Sequence, residues 1–429
     1  MYYEKIAGAV SWVRQRPFLF FAVLHAILFL AVFSIFDYNV GGNGLERSFA
    51  NLILDGNVPY RDFVSEYPPL ALLSFLLPAL FFRTQPAYGF AYAFETYLFN
   101  LVILYIIWKL AERYRLGVWR TLGIYTVCIA AFNTLVTGRF DLLPAMLVLA
   151  SLYAFIRGRN KTAWVVLALG AMTKLYPLII APLFALFLLQ QRQYRQLVQG
   201  IAVFAIVLLL LNLPWVIASP DGYGNFLSYH MERGLHSESS YGSVLMVGQL
   251  MGWTQLEAAL TYGSWNIISP AADTMANYSF YITAALLMFL YASYIQRLLK
   301  KPSAVDEDGV MDGGTAQSLL RYSILAVFIM LLASKVLSPQ FIIWLCPLIP
   351  LVVMRWRYLP LVVFVLIAIA TQYVYPHNYI QFELFEKWPV SMMIIRNILL
   401  LIMALWYMLP LSKERAAVER LESGGCAVT

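Results

Sequence analysis

Charge is what this 429-residue chain has least of: Asp, Glu, Lys and Arg make up 12% of it, against 61% hydrophobic and 16% aromatic residues. Soluble chains carry about 25% charged residues, so a water-soluble fold is excluded. Cysteine is nearly as scarce. The three present, Cys128, Cys346 and Cys426, fall in two expected helices and the C-terminal tail, none in an external loop, which argues against a structural disulfide. Also missing are a P-loop, an HExxH, a GxSxG and a GxGxxG set between strand and helix, so nucleotide-driven and standard hydrolase chemistries have no support. No internal repeat is visible, and with it goes the inverted-repeat signature of many transporters.

What the chain has instead is apolar runs of roughly 14 to 28 residues, enough for about 12 helical crossings of a hydrocarbon layer ~30 Å thick. An all-α integral membrane protein follows, a polytopic helical bundle with no room for a separate globular domain. The net charge of +7 bears on sidedness rather than on nucleic acid. Basic clusters recur at Lys5/Arg14/Arg16, Lys109/Arg113/Arg115/Arg120, Arg157/Arg159/Lys161, Arg192/Arg195, Arg297/Lys300/Lys301, Arg355/Arg357 and Lys413/Arg415/Arg420. The positive-inside rule puts these clusters and both termini on the cytoplasmic face, which leaves the external face acidic. The apolar run from Phe18 lacks a small-residue cleavage site after it and reads as a retained first helix.

With the clusters fixed inside, successive runs must alternate in direction. The run 69–82, opened by Pro68 and Pro69 and broken by Pro78, spans only ~21 Å as a helix, so it reads as a re-entrant or in-plane segment on the outer face. The run 162–189 has basic clusters at both ends and must be two short helices hinged at Lys174-Leu175-Tyr176-Pro177. Helices are then expected near 18–36, 88–109, 118–137, 141–156, 162–174, 177–189, 198–217, 278–296, 318–334, 341–354, 359–374 and 390–411. Residues 1–300 form a front module whose external loops 37–89 and 218–277 carry the candidate site, with an apolar stretch at 243–251 able to dip into the membrane. Residues 301–317, with Pro302, three consecutive acids and a Gly pair, read as a flexible cytoplasmic linker, and 318–429 as a rear transmembrane module with its tail.

Polar residues in or beside apolar helices are costly, so their positions are functional evidence. Asp37, Asp55, Asp62, Glu66, Arg139, Asp141, Lys174, His230, Arg233, His236, Glu238, Lys335 and Gln340 all map to external helix ends or loops. Asp37 stands out because it sits at the C-terminal end of the first helix, where the macrodipole disfavours a carboxylate. Plainer readings stand beside these: a solvated helix end for Asp37, a local pair with Arg61 for Asp62, a loop end for Glu66, an Arg139–Asp141 ion pair within the hairpin, a snorkelling Lys335. Lys174 is recessed between two half-helices of ~18 Å and needs an anion, either a carboxylate such as Asp141 or a phosphate. His230 and His236 without a further local ligand make a weak metal motif. Glu95 and Arg396 fall at mid-membrane depth and leave two readings, a mid-membrane site at either one or, ahead of it, a buried structural pair.

Taken in order, Asp37, Gly56-Asn57-Val58-Pro59-Tyr60-Arg61-Asp62, Glu66-Tyr67-Pro68-Pro69, Gly138-Arg139-Phe140-Asp141, Thr173-Lys174-Leu175-Tyr176-Pro177, Arg233-Gly234-Leu235-His236-Ser237-Glu238-Ser239 and Lys335-Val336-Leu337-Ser338-Pro339-Gln340 form a recognisable set. In it the chain resembles the family-87 polyprenyl-phosphate-dependent mannosyltransferases and is similar to the GPI mannosyltransferase I catalytic subunit, over Asp37 to about Pro350. The resemblance implies a GT-C bundle that moves a hexose, mannose in that family, from a polyprenyl-phosphate donor to a lipid or glycan acceptor on the extracytoplasmic face of the plasma membrane. It implies Asp37 as the base, with Asp62 and Glu66 as alternatives, because the GPI-type enzymes carry Asp-x-Asp where this chain has Ser34-Ile35-Phe36-Asp37. Lys174, Arg233, His236 and Lys335 would hold the donor phosphate. Asp62, Glu66, Arg139, Asp141, His230, Glu238 and Gln340 would line the sugar or acceptor. No cofactor and no resident metal is implied; the part of a divalent ion is left open. The chemistry agrees, since an inverting single displacement needs one carboxylate to take the acceptor's proton and cations on the departing phosphate. The rival reading is a transporter or flippase of a lipid-linked or anionic solute, which should place ionisable groups near the midplane. A glycan polymerase or ligase would use the same external chemistry.

Overall fold

The computed structural model describes residues 13–35, 43–300, 304–353 and 358–409. Asp37, the leading base candidate, lies outside the described residues. The chain runs from α1 (Pro17–Ile35) through α2 (Gly44–Leu54), α3 (Pro69–Ala79), α4 (Ala87–Arg113), α5 (Val118–Ala131), α6 (Asn133–Gly138), α7 (Leu142–Ile156) and α8 (Asn160–Ala171). A 3₁₀ turn, Tyr176–Ile180, leads into α9 (Ala181–Gln190), α10 (Tyr194–Ala218) and α11 (Pro220–Glu232). After β1 (Leu235–His236) come α12 (Ser240–Leu250), β2 (Glu257–Thr261), β3 (Ser264–Ile268), α13 (Pro270–Lys300), α14 (Gly313–Ala333), α15 (Leu359–Gln372), α16 (Tyr379–Glu383) and α17 (Lys387–Met408).

Among the described residues, 7 helices are long and apolar enough to cross a membrane: α1, α4, α10, α13, α14, α15 with its continuation to His377, and α17. The polytopic all-α bundle expected from the apolar runs is therefore present. The shorter apolar helices behave as their prolines and lengths require. α3 starts at the Pro68-Pro69 pair, where a missing amide hydrogen costs nothing, and it is tied to the end of α8 by Leu70 N donating to Met172 O at 2.9 Å. α8 and α9 are the two arms of the hairpin around Lys174. α10 is the outermost helix: only Gly200 is buried, and a Cβ there would overlap the Trp164 indole, so α10 touches α8 through the absence of a side chain.

Four stretches differ from expectation. The helix expected at 341–354 is a 3₁₀ helix, Pro339–Leu345, followed by turns, because Pro347 and Pro350 remove the amides an α-helix would use. α13 begins at Pro270 rather than near 278. The segment 218–277 contains an antiparallel sheet of order β1-β3-β2, its hairpin closed by Tyr262 and Gly263, both at positive φ, as the turn favoured by strand twist demands. From residue 304 the linker is folded: Val305 bridges to Met311, Met311 N donates to Ile156 O at 3.0 Å, and Arg113 pairs with Asp306 at 3.1 Å. Asp312 then caps α14 by accepting from Thr315 N at 2.7 Å.

Candidate active site

The loop between α2 and α3 is held by its backbone. Tyr60, at φ +66°, donates its hydroxyl to Tyr67 O at 2.6 Å, and its own carbonyl accepts from Ser219 Oγ at 3.3 Å. Gly222 packs so closely on that carbonyl that a Cβ would collide with it. α11 is thereby laid along the segment, and its last turn delivers two side chains to Glu66. Tyr229 donates its hydroxyl to Glu66 Oε2 at 2.6 Å, and His230 Nε2 donates to Glu66 O at 3.0 Å. Burial lowers the His230 pKa, which keeps the imidazole neutral and suits this donor role.

The α6–α7 hairpin supplies Arg139 and Asp141, which do not pair with each other. The backbone turns from extended at Arg139 to right-handed helical at Asp141, and the two side chains find separate partners. Asp141 Oδ1 accepts from Lys174 Nζ at 2.6 Å and from Trp344 Nε1 at 2.8 Å, while its Oδ2 is buried without a hydrogen-bond partner. The carboxylate is thus the anion that the recessed Lys174 needs. The lysine is also faced by the rings of Phe341, Phe140 and Trp344, at 4.3, 4.7 and 5.2 Å. Arg139 reaches the other way, to Tyr375 OH at 2.8 Å and to Glu46 Oε1 at 3.6 Å. Glu46 is 0% exposed, and neither carboxylate oxygen has a hydrogen-bond partner. Burial raises its pKa and the nearby guanidinium opposes the rise.

Residues 233–236 and the loop after α14 carry the remaining cations. Arg233 Nε donates to Ser264 Oγ at 3.0 Å on β3. His236 N donates to Lys335 O at 3.0 Å, and Lys335 Nζ donates to Met231 O at 2.7 Å, so the loop after α14 is stitched to the strand. Arg233 lies within electrostatic reach of both Lys335 and His230. Glu66 lies within reach of Lys174 and His230. A chain of neighbours therefore runs Asp141–Lys174–Glu66–His230–Arg233–Lys335, drawn from five separated parts of the sequence. Glu66 is half-buried, whereas Asp141 and the nearby Glu46 are enclosed.

Other expected site residues sit elsewhere. Asp62 is on the surface, bound to Arg61 at 2.9 Å and accepting from Val58 N at 2.7 Å, which holds its pKa down at about 2. Glu238, expected to face a substrate, is 1% exposed and paired with Arg396 at 2.9 Å. Arg396 accordingly has Glu238, not Glu95, as its partner. His236 is buried beside that pair, its Nε2 3.9 Å from Glu238 Oε1. Gln340 is half-buried in the first turn of the 3₁₀ helix. Sequence reasoning missed Glu46, Tyr229, Trp344 and Tyr375. Tyr229 adjoins His230, and Trp344 sits four residues beyond Gln340 in the same 3₁₀ helix, so adjacency to the motifs was the available signal. Among the described residues no group of three or more His, Cys, Asp and Glu is arranged to hold a metal ion.

Compared with known proteins, the chain matches the profile of Glycosyltransferase family 87 over residues 63–305. No curated protein matches it. Among solved structures it is similar to the crystal structure of ArnT from Cupriavidus metallidurans bound to undecaprenyl phosphate, at 12% identity and a TM-score of 0.49, covering 97% of this chain and 79% of that one. The apo form of the same protein aligns at 12% identity and a TM-score of 0.48, over 94% and 77% of the two chains.

Proposed function

The chain belongs to glycosyltransferase family 87, and from that premise we propose that it transfers a hexose, mannose before others, from a polyprenyl-phosphate donor to a lipid-linked or glycan acceptor at the extracytoplasmic face. The observation that carries this reading is the grouping of Glu66, Tyr229 and His230, with Lys174 and Arg233 each within electrostatic reach of His230 and Lys335 within reach of Arg233. A departing lipid phosphate needs cations at the bilayer surface, and the acceptor hydroxyl needs a carboxylate on the opposite side of the anomeric carbon.

In the reaction, the acceptor oxygen attacks the anomeric carbon while the bond from that carbon to the phosphate oxygen breaks, and the configuration inverts. The hydroxyl proton passes to a carboxylate, Asp37 by family likeness or Glu66 by its place in the cluster. The electron pair of the broken bond leaves with the phosphate, whose growing charge Arg233 and Lys335 offset, with Lys174 behind them. No second acid is required, since a phosphate is already a good leaving group. Asp141 and Arg139, engaged by Lys174, Trp344, Tyr375 and Glu46, act as the supports of this group rather than as ligands of the sugar. A transporter is expected to gather its ionisable groups near the midplane, whereas the group around Glu66 is built from helix ends and loops, Glu66 before α3, His230 in the last turn of α11 and Lys335 after α14.

The test is hexose transfer from a polyprenyl-phosphate sugar by purified protein in nanodiscs. Asp37→Asn or Glu66→Gln should lower kcat by about 100-fold to 10,000-fold, the span typical of a general base. Parental rates in both variants would overturn the mechanism; no transfer by the parent with any polyprenyl-phosphate hexose would overturn the substrate assignment.

A further inference from the structure

Of the cations assigned to the donor phosphate, Arg233 lies in residues 233–239 and Lys335 is bonded to them through His236 N, yet the stretch has little secondary structure of its own beyond the two residues of β1. What grips it comes from the other end of the chain. Arg396, in α17, is 0% exposed and is the largest fully buried side chain among the described residues. Its Nη1 donates to Glu238 Oε2 at 2.9 Å, its Nη2 to Glu238 O at 2.5 Å, and its Nε to Asn397 Oδ1 at 3.1 Å. Asn397 Nδ2 in turn donates to Glu238 O at 3.1 Å, Ser239 O at 3.2 Å and Ser243 Oγ at 2.7 Å. Glu238 is thus held by side chain and main chain together, and so is the residue after it.

Everything upstream is referenced to that fixed point. Ser237 N donates to Trp265 O at 3.0 Å, His236 N to Lys335 O at 3.0 Å, and Ser239 N to His236 O at 3.0 Å. Gly242 fits so tightly on Ser237 O that a Cβ would clash, so α12 closes the other side. The backbone that sets where Arg233 and Lys335 sit is therefore located by Arg396. Stability alone is a poor account of such a pair, because two buried charges regain in attraction about what they lose in hydration, and an apolar pair of equal volume often serves as well. What an apolar pair cannot supply is direction: a planar guanidinium aimed at a carboxylate, a carbonyl and an amide oxygen fixes all three at once.

We propose that Arg396 is a positioning residue for glycosyl transfer, acting through Glu238 to set the 233–239 segment and the Lys335 loop in register on the donor phosphate. This rests on the glycosyltransferase reading above. The test compares the parent with the volume-matched double variant Glu238→Leu/Arg396→Met and with Arg396→Lys, all in nanodiscs. Melting temperature, amide hydrogen exchange at residues 236–239, and the KM values for donor and acceptor are measured on each. The double variant should melt near the parent, exchange faster at 236–239, and show a donor KM raised about tenfold or more, with the acceptor KM unchanged. Arg396→Lys, which keeps the charge and loses the fork, should fall between. Parental donor KM and parental exchange in the folded double variant would overturn the proposal and reduce the pair to a packing device. If the double variant does not fold, Arg396→Lys decides: unchanged exchange and donor KM there overturn it equally. Failure of the parent to transfer any hexose would strike the glycosyltransferase reading instead, with hydrogen exchange still deciding whether Arg396 sets the segment.

Discussion

Lys335 shows how a single ammonium group can report on the site. Burial, and then the neighbouring Arg233, hold its pKa below the usual lysine value of about 10.4. The charged form dominates below that lowered value, so the grip on phosphate is lost as pH rises through it. The alkaline limb of kcat/KM for the donor should therefore begin earlier than an unperturbed lysine would allow, and Lys335→Arg, charged at all accessible pH, should move that limb upward. A pH–rate profile of parent and variant checks this; an unmoved limb would assign it to another group. Asp62 makes the opposite case. Arg61 and Val58 N already satisfy its oxygens at the surface, so Asp62→Asn should cost less than about tenfold in kcat. A loss as large as that expected for Glu66→Gln would show that the Asp62 turn closes over the substrate.

At the scale of elements, α11 matters because it brings Tyr229 and His230 to Glu66, and its seat is one glycine wide. Gly222→Ala should push the helix off the Tyr60 carbonyl, at about 1–3 kcal/mol of overpacking strain, with faster hydrogen exchange over 220–232 and lower transfer activity while the rest of the bundle melts as before. Unaltered exchange over α11 would mean that the first external segment yields instead. The long helices were legible from sequence because hydrocarbon demands ~20 apolar residues per crossing, and the hinge at Lys174 was legible because two basic clusters must share one face. The sheet was not: β1 has two residues and β2 and β3 five each, too few for alternation to show. Partner choice was equally hidden. Arg139 and Asp141 are near neighbours in sequence, yet their partners Tyr375 and Lys174 lie 236 and 33 residues away, and Glu238 finds Arg396 at a separation of 158. The residue types of the site could be read from the motifs; which of them face ligand and which lock each other could not, because that depends on contacts made only after the helices pack.

Over the whole molecule, the charge pattern and the candidate site make one joint claim about sidedness. Arg113 with its partner Asp306, the Gly158 turn and the start of α14 gather at one end of the bundle. Glu66, the end of α11 and Lys335 meet at the other ends of the helices they adjoin. If the positive-inside rule orients the chain, the first group faces the cytoplasm and the second the exterior, where a lipid-linked donor would meet the cluster. Single cysteines can decide this, since Cys128 and Cys346 are buried and only Cys426 needs replacing first. Gly224 is exposed on α11 with open space around it, and Glu307 is exposed in the 304–312 turn, so a thiol at either place meets no packing constraint. In intact cells an impermeant maleimide should label Gly224→Cys and spare Glu307→Cys, with both labelled after permeabilisation. The reverse pattern would turn the bundle over and put the carboxylates and cations on the cytoplasmic side. Transfer would then have to draw on a donor presented in the inner leaflet, and the positive clusters would need a reason other than topology.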